Sequence, residues 1–95
     1  MQKFNSLTLM GFTVLLWNCR SVKANLIEFK HYINSKEPDI ICLTETWLKI
    51  TTKFKINNYK IFRSDRFDQR LGGGVAILIK HNIRIVDINF ILQKR

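Results

Sequence analysis

The feature that most limits how this chain can fold is the succession, within residues 12–43, of an apolar run, a helical pattern and a second apolar run. Phe12 to Trp17 is almost continuously apolar, the pattern of a strand covered on both faces. A helix is predicted next. Asn25 is a suitable N-cap, and Glu28 three residues later completes a capping-box pattern. Leu26, Phe29 and Ile33 fall on one helical face, while Glu28, His31 and Lys36 fall on the other. Pro38 closes the helix, because the residue before a proline is pushed out of the helical region. Ile40 to Leu43 then reads as a second buried strand. A β-α-β unit has a right-handed crossover and parallel strands. Parallel strands end on the same sheet edge, so Asn18, ending the first strand, and Glu45, ending the second, are expected to share it. In open α/β sheets that edge is where ligands bind.

The second half is patterned differently. Residues 51–58 form a polar, basic connection, Tyr59–Phe62 a short strand, Arg63–Gly74 a loop and Val75–Lys80 another strand. Ile83–Ile88 alternates apolar and polar residues, which suits a half-exposed strand. Short links imply antiparallel hairpins, giving a mixed α/β chain with a parallel start and a meander after it. Residues 1–11 read as an N-terminal linker and residues 12–95 as one domain. The apolar stretch Leu7–Trp17 has no small-residue cleavage site after it and is shorter than a membrane span, so no membrane association is expected.

Charge narrows the partners. The chain of 95 residues carries a net +9, which favours polyanions, nucleic acid first. An Ile-, Asn- and Lys-rich composition is also what an AT-biased gene produces, so the charge is supporting rather than decisive. Cys19 and Cys42 sit in apolar runs without metal-binding spacing and read as buried thiols of an intracellular protein.

Several residues offer chemistry. Mg²⁺ is held by one or two carboxylates with water and phosphate oxygens, and Glu45 is apt for that role. Asn18 cannot ionise and suits the orientation of a carboxylate or a phosphate oxygen. Gly72-Gly73-Gly74 precedes a strand rather than a helix and has no Lys-Ser or Lys-Thr after it, so a φ-positive turn is expected there, not a phosphate cradle. Arg63, Arg66 and Arg70 could contact DNA phosphates, or could pair with Asp65 and Asp68 in a neutral, solvated turn. Trp17 reads as core, and Trp47 as packing beneath the site or stacking on a base, with packing favoured. His31 and His81 have no catalytic placement.

Four segments in register carry a resemblance: Leu16-Trp17-Asn18-Cys19-Arg20-Ser21, Pro38-Asp39-Ile40-Ile41-Cys42-Leu43-Thr44-Glu45-Thr46-Trp47-Leu48, Arg63-Ser64-Asp65-Arg66 and Gly72-Gly73-Gly74-Val75-Ala76-Ile77. From about Thr13 to Ile88 the chain resembles the first part of the endonuclease–exonuclease–phosphatase superfamily domain. It looks most like the apurinic-type endonucleases of jockey-like non-LTR retrotransposons. The resemblance implies a four-layer α/β sandwich, Mg²⁺-dependent nicking of DNA to prime reverse transcription, and nuclear work. It makes Glu45 the metal-binding glutamate and Asn18 the strand-end asparagine near the scissile phosphate. Thr44 stands where many relatives carry Gln. The superfamily's Gly-Asp-Phe-Asn-type and Ser-Asp-His-type segments do not occur in this sequence. Neither Tyr32 nor Tyr59 falls at the position of the active-site tyrosine of many members.

The expectation is therefore an N-terminal fragment of such an enzyme, inactive alone and binding Mg²⁺ weakly or not at all. It should expose one sheet face and aggregate. The alternatives are a non-catalytic basic DNA-binding module and a fragment of another phosphoesterase of the superfamily.

Overall fold

A computed structural model describes residues 4–65 and 73–84. Its elements are β1 (Asn5–Leu9), β2 (Phe12–Asn18), α1 (Leu26–Lys36), β3 (Ile40–Thr44), β4 (Tyr59–Ser64) and β5 (Val75–Lys80). The strands form one sheet in the order β1-β2-β3-β5-β4. β2 and β3 are parallel and joined through α1, with Val14 opposite Ile40 and Asn18 opposite Thr44. This is the mixed α/β architecture expected of the N-terminal part of the sandwich.

The core lies between the helix and one sheet face. Leu15 and Trp17 of β2, Ile41 and Leu43 of β3, and Ala76 and Leu78 of β5 meet Phe29 and Ile33 of the helix. Trp17 stacks on Phe29 with ring centroids 5.0 Å apart. Ile77 and Ile79, on the opposite face of β5, are buried as well, as suits a central strand made almost wholly of apolar residues. Coverage of that opposite face fades toward β2, where Phe12 and Leu16 remain about 40% exposed. The expectation that β2 is covered on both faces holds for one of them and, on the other, only at Val14.

Three further expectations are corrected. Residues 1–11 are not simply a linker, since Asn5–Leu9 pairs antiparallel with β2. Met10 and Gly11 both have positive φ, which fits the right-handed twist of a two-residue hairpin. Phe4 anchors the start of the strand by packing on Trp17 and Tyr32. The second half is not a sequential meander either, because β5 inserts between β3 and β4. β5, apolar from Val75 to Ile79, takes an interior place, and β4, which carries Lys60 and Arg63, takes the edge. Third, β4 runs on through Arg63 and Ser64 before the loop begins. Ile83 and Arg84 are not in a strand, and the rest of the strand expected up to Ile88 lies outside the described residues.

The helix also starts differently. Asn25 makes no side-chain cap; its amide instead donates to the carbonyls of Cys19 and Ser21, at 3.2 and 3.1 Å. The capping residue expected from sequence thus braces the loop that leaves β2. The helix ends at Glu37 in a left-handed C-cap, with its N–H donating to the Ile33 carbonyl.

Candidate active site

Parallel pairing brings Asn18 and Glu45 to one edge of the sheet, as their places in the sequence imply. Asn18 is exposed at the end of β2, and Glu45 is half-buried just past β3. The pairing continues beyond the strands in irregular backbone. Cys19 donates to the Thr44 carbonyl (2.9 Å), Ser21 to that of Glu45 (3.0 Å) and Val22 to that of Thr46 (3.1 Å). On the other side, Thr46 donates to the Gly74 carbonyl (3.2 Å) and Trp47 to that of Gly73 (3.0 Å). The segment carrying Glu45 is therefore held between two loops.

That double clamp sustains an unusual backbone. Glu45 and Trp47 both have left-handed φ, at +54° and +57°. Such a conformation costs a non-glycine residue about 1–2 kcal/mol, and strain of this kind gathers at functional sites. Its effect is to reverse the strand alternation. Thr46 and Leu48 turn inward and are buried, while Trp47 turns outward and is 39% exposed. The expectation that Trp47 packs beneath the site is corrected by this reversal. Its indole N–H donates to Oε1 of Glu45 across 3.2 Å. Buried Thr46 also explains the neighbouring glycine: a Cβ on Gly74 would lie 2.7 Å from Thr46 Oγ1. With φ of +79° and +87°, Gly73 and Gly74 make the φ-positive turn expected before β5.

Cys19 lies beneath this edge. Its thiol donates to the Thr44 carbonyl, and burial, reinforced by the nearby Glu45 charge, pushes its pKa up to about 12. A thiol that stays protonated is a packing group and not a nucleophile.

Arg63 sits one row in from the edge, opposite Ala76 of β5. Its guanidinium pairs with Asp65 (2.8 Å) and donates to the carbonyls of Thr52 and Lys49, at 2.7 and 2.8 Å. These bonds realise the pairing alternative for Arg63 and make it a latch between β4 and the connection before it. Arg66 and Arg70 lie outside the described residues. Sequence reasoning did not single out Arg20, which is exposed between the two residues that bond to Thr44 and Glu45. The strand-end position that drew attention to Asn18 could also have drawn it to Arg20.

The donors at the edge are hard oxygens, one carboxylate from Glu45 and one amide from Asn18. Among the described residues no group of three or more His, Cys, Asp or Glu side chains could enclose a metal ion. The set fits a Mg²⁺ shared with a phosphate and not one caged by protein, because that ion needs only one or two carboxylates when water and substrate oxygens complete its shell. A groove of about 480 Å³ between Phe54, Ile56, Tyr59 and His81 lies at the opposite end of β4 and contains no carboxylate, so it is separate from this site. Among the described residues no helix is long and apolar enough to cross a membrane.

A search of curated proteins finds no match. A family model described as "Endonuclease/Exonuclease/phosphatase family" matches residues 15–93, a span that includes Asn18, Glu45, Trp47 and the Arg63 loop.

Proposed function

The chain belongs to the endonuclease/exonuclease/phosphatase family, and on that premise we propose that it carries one part of a Mg²⁺-dependent DNA-nicking site of the retrotransposon type. The family consists of hydrolases of nuclease and phosphatase type that generally depend on a divalent metal. The observation that supports the reading is the parallel register of β2 and β3, which puts Asn18 opposite Thr44 and so beside Glu45. Glu45 would hold the ion, and Asn18 would orient a phosphate oxygen. When bound, Mg²⁺ takes up charge that develops on the phosphate. The Trp47 indole, by donating to Oε1, limits how the carboxylate can rotate.

Hydrolysis also needs a base to activate water, an effect worth roughly 10²–10⁴-fold. Such groups act as a unit. The Ser-Asp-His-type segment that supplies the base in the family is not in this sequence, so these 95 residues alone should bind without cutting. Incubating pure protein and its Glu45→Gln variant with supercoiled plasmid and Mg²⁺ tests this. No nicking by either is expected, and Glu45-dependent nicking by the parent chain would show that a complete site lies within these residues. The retrotransposon assignment, rather than a phosphatase of the same family, rests on Arg63-Ser64-Asp65-Arg66 and Gly72-Gly73-Gly74. A reverse-transcriptase reading frame downstream in the genome is its expected companion.

A further inference from the structure

Trp47 is the one large aromatic ring turned to solvent at the Asn18–Glu45 edge among the described residues. Its exposure is not that of a loose surface side chain. The flanking Thr46 and Leu48 are buried, the backbone is held left-handed, the main-chain N–H is bonded to Gly73, and the indole N–H is bonded to Glu45. Edge and backbone are both anchored, and 39% of the residue stays open. The only other tryptophan, Trp17, is 2% exposed in the core.

We propose that Trp47 is a stacking platform for a nucleobase of a single-stranded DNA segment whose phosphate lies at Glu45. The inference rests on the reading of this edge as a phosphodiester site and adds the class of group that flanks the phosphate. A fixed aromatic face beside a carboxylate that would hold Mg²⁺ against a phosphate matches the make-up of a nucleotide, in which a π-face and a phosphate are joined through one sugar. A sugar phosphate or an inositol phosphate has no such face to offer. Stacking on an exposed aromatic side chain tolerates any base and is a recurrent means of holding single strands. The net charge of +9 attracts the same polyanion.

The test compares a short oligothymidylate with an abasic deoxyribose-phosphate oligomer of equal length and charge, both added to the full chain with Mg²⁺. Because the protein has two tryptophans, its ¹⁵N-labelled indole region contains two signals to follow. The Trp47 signal is expected to shift with oligothymidylate and to stay nearly unmoved with the abasic strand, while that of Trp17 reports an intact core in every variant. Binding should favour oligothymidylate by about tenfold, the effect of one stacked base. Trp47→Ala should abolish that preference and Trp47→Phe should keep part of it. Glu45→Gln, which leaves the ring in place, should keep it too. Equal affinity for the two strands, or a base preference that survives Trp47→Ala, overturns the platform while leaving DNA binding intact. Binding of neither strand overturns the nucleic-acid reading itself and the platform with it.

Discussion

Arg63 illustrates how a charged residue can be read in two ways until its partners are known. A guanidinium in a loop beside a possible phosphate site suggests an electrostatic contact. In the fold it instead forms an ion pair with Asp65 and bonds to the carbonyls of Lys49 and Thr52, in the connection that precedes β4. A planar fork of donors can serve three acceptors at once, and a lysine cannot reproduce that geometry. Arg63→Ala should therefore destabilise the chain by about 1.5–3 kcal/mol, the range for hydrogen bonds involving a charged group, with Arg63→Lys recovering little. Urea midpoints together with DNA affinity decide the matter. The latch requires lower stability with DNA binding of the folded protein almost unchanged. Weaker binding at unaltered stability would instead make Arg63 a phosphate contact.

At the scale of elements, the parallel pair β2 and β3 positions the candidate site, and Asp39 ties that pair together at the far end. Its carboxylate accepts from the backbone N–H of Thr13 (2.8 Å) and from the Thr13 hydroxyl (3.1 Å), while its own N–H donates to the Thr13 carbonyl. Lys80 of β5 approaches at 3.8 Å. The Thr13 N–H is the largest cause holding the Asp39 carboxyl below its ordinary value of 3.8, with smaller help from the hydroxyl and from Lys80. A depressed carboxyl contributes stability that is present above the ordinary value and is lost as pH falls through the folded one. Denaturant midpoints should accordingly fall as pH drops below about 4, and Asp39→Asn should be less stable near neutrality with a shallower acid decline. If both proteins decline in parallel, other carboxylates carry the effect. The same elements show what could be read beforehand. The β-α-β unit was legible because its apolar periods change cleanly at Asn18 and Pro38. β1 was not, because its turn, Met10-Gly11, lacks the usual Asn-Gly or Asp-Gly pair. The insertion of β5 between β3 and β4 depends on long-range pairing that no local pattern encodes. At the site, the shared edge of two parallel strand ends led to Asn18 and Glu45, but the left-handed backbone of Glu45 and Trp47 then reverses the strand alternation and turns Trp47 outward, which no local pattern announced.

At the scale of the whole molecule, one apolar surface and one basic segment stand out among the described residues. Leu7, Leu9, Phe12 and Leu16 form a partly exposed apolar surface on β1 and β2, and Met10 at the turn is 91% exposed. These residues give the expected self-association a location. Exposed Lys49, Lys53 and Lys55 follow Trp47 along the connection into β4. Since Arg63 is engaged with Asp65, these lysines, together with the exposed Arg20 at the edge itself, are the candidates among the described residues for neutralising the backbone of the DNA proposed to lie at Glu45. Each phosphate contact on duplex DNA changes the slope of log affinity against log salt by roughly 0.9. Affinity for a short duplex should thus fall steeply as salt rises, and replacing all three lysines with alanine should flatten the slope by up to about 2.7 if each touches a phosphate. Arg63→Ala should leave the slope unaltered, because its charge is already answered by Asp65. Loss of apolar self-association in a Leu9→Lys variant would keep the measurement on monomers. A slope that ignores the lysines would place the DNA path on another face, and an affinity indifferent to salt would remove polyanion binding from the protein's chemistry altogether.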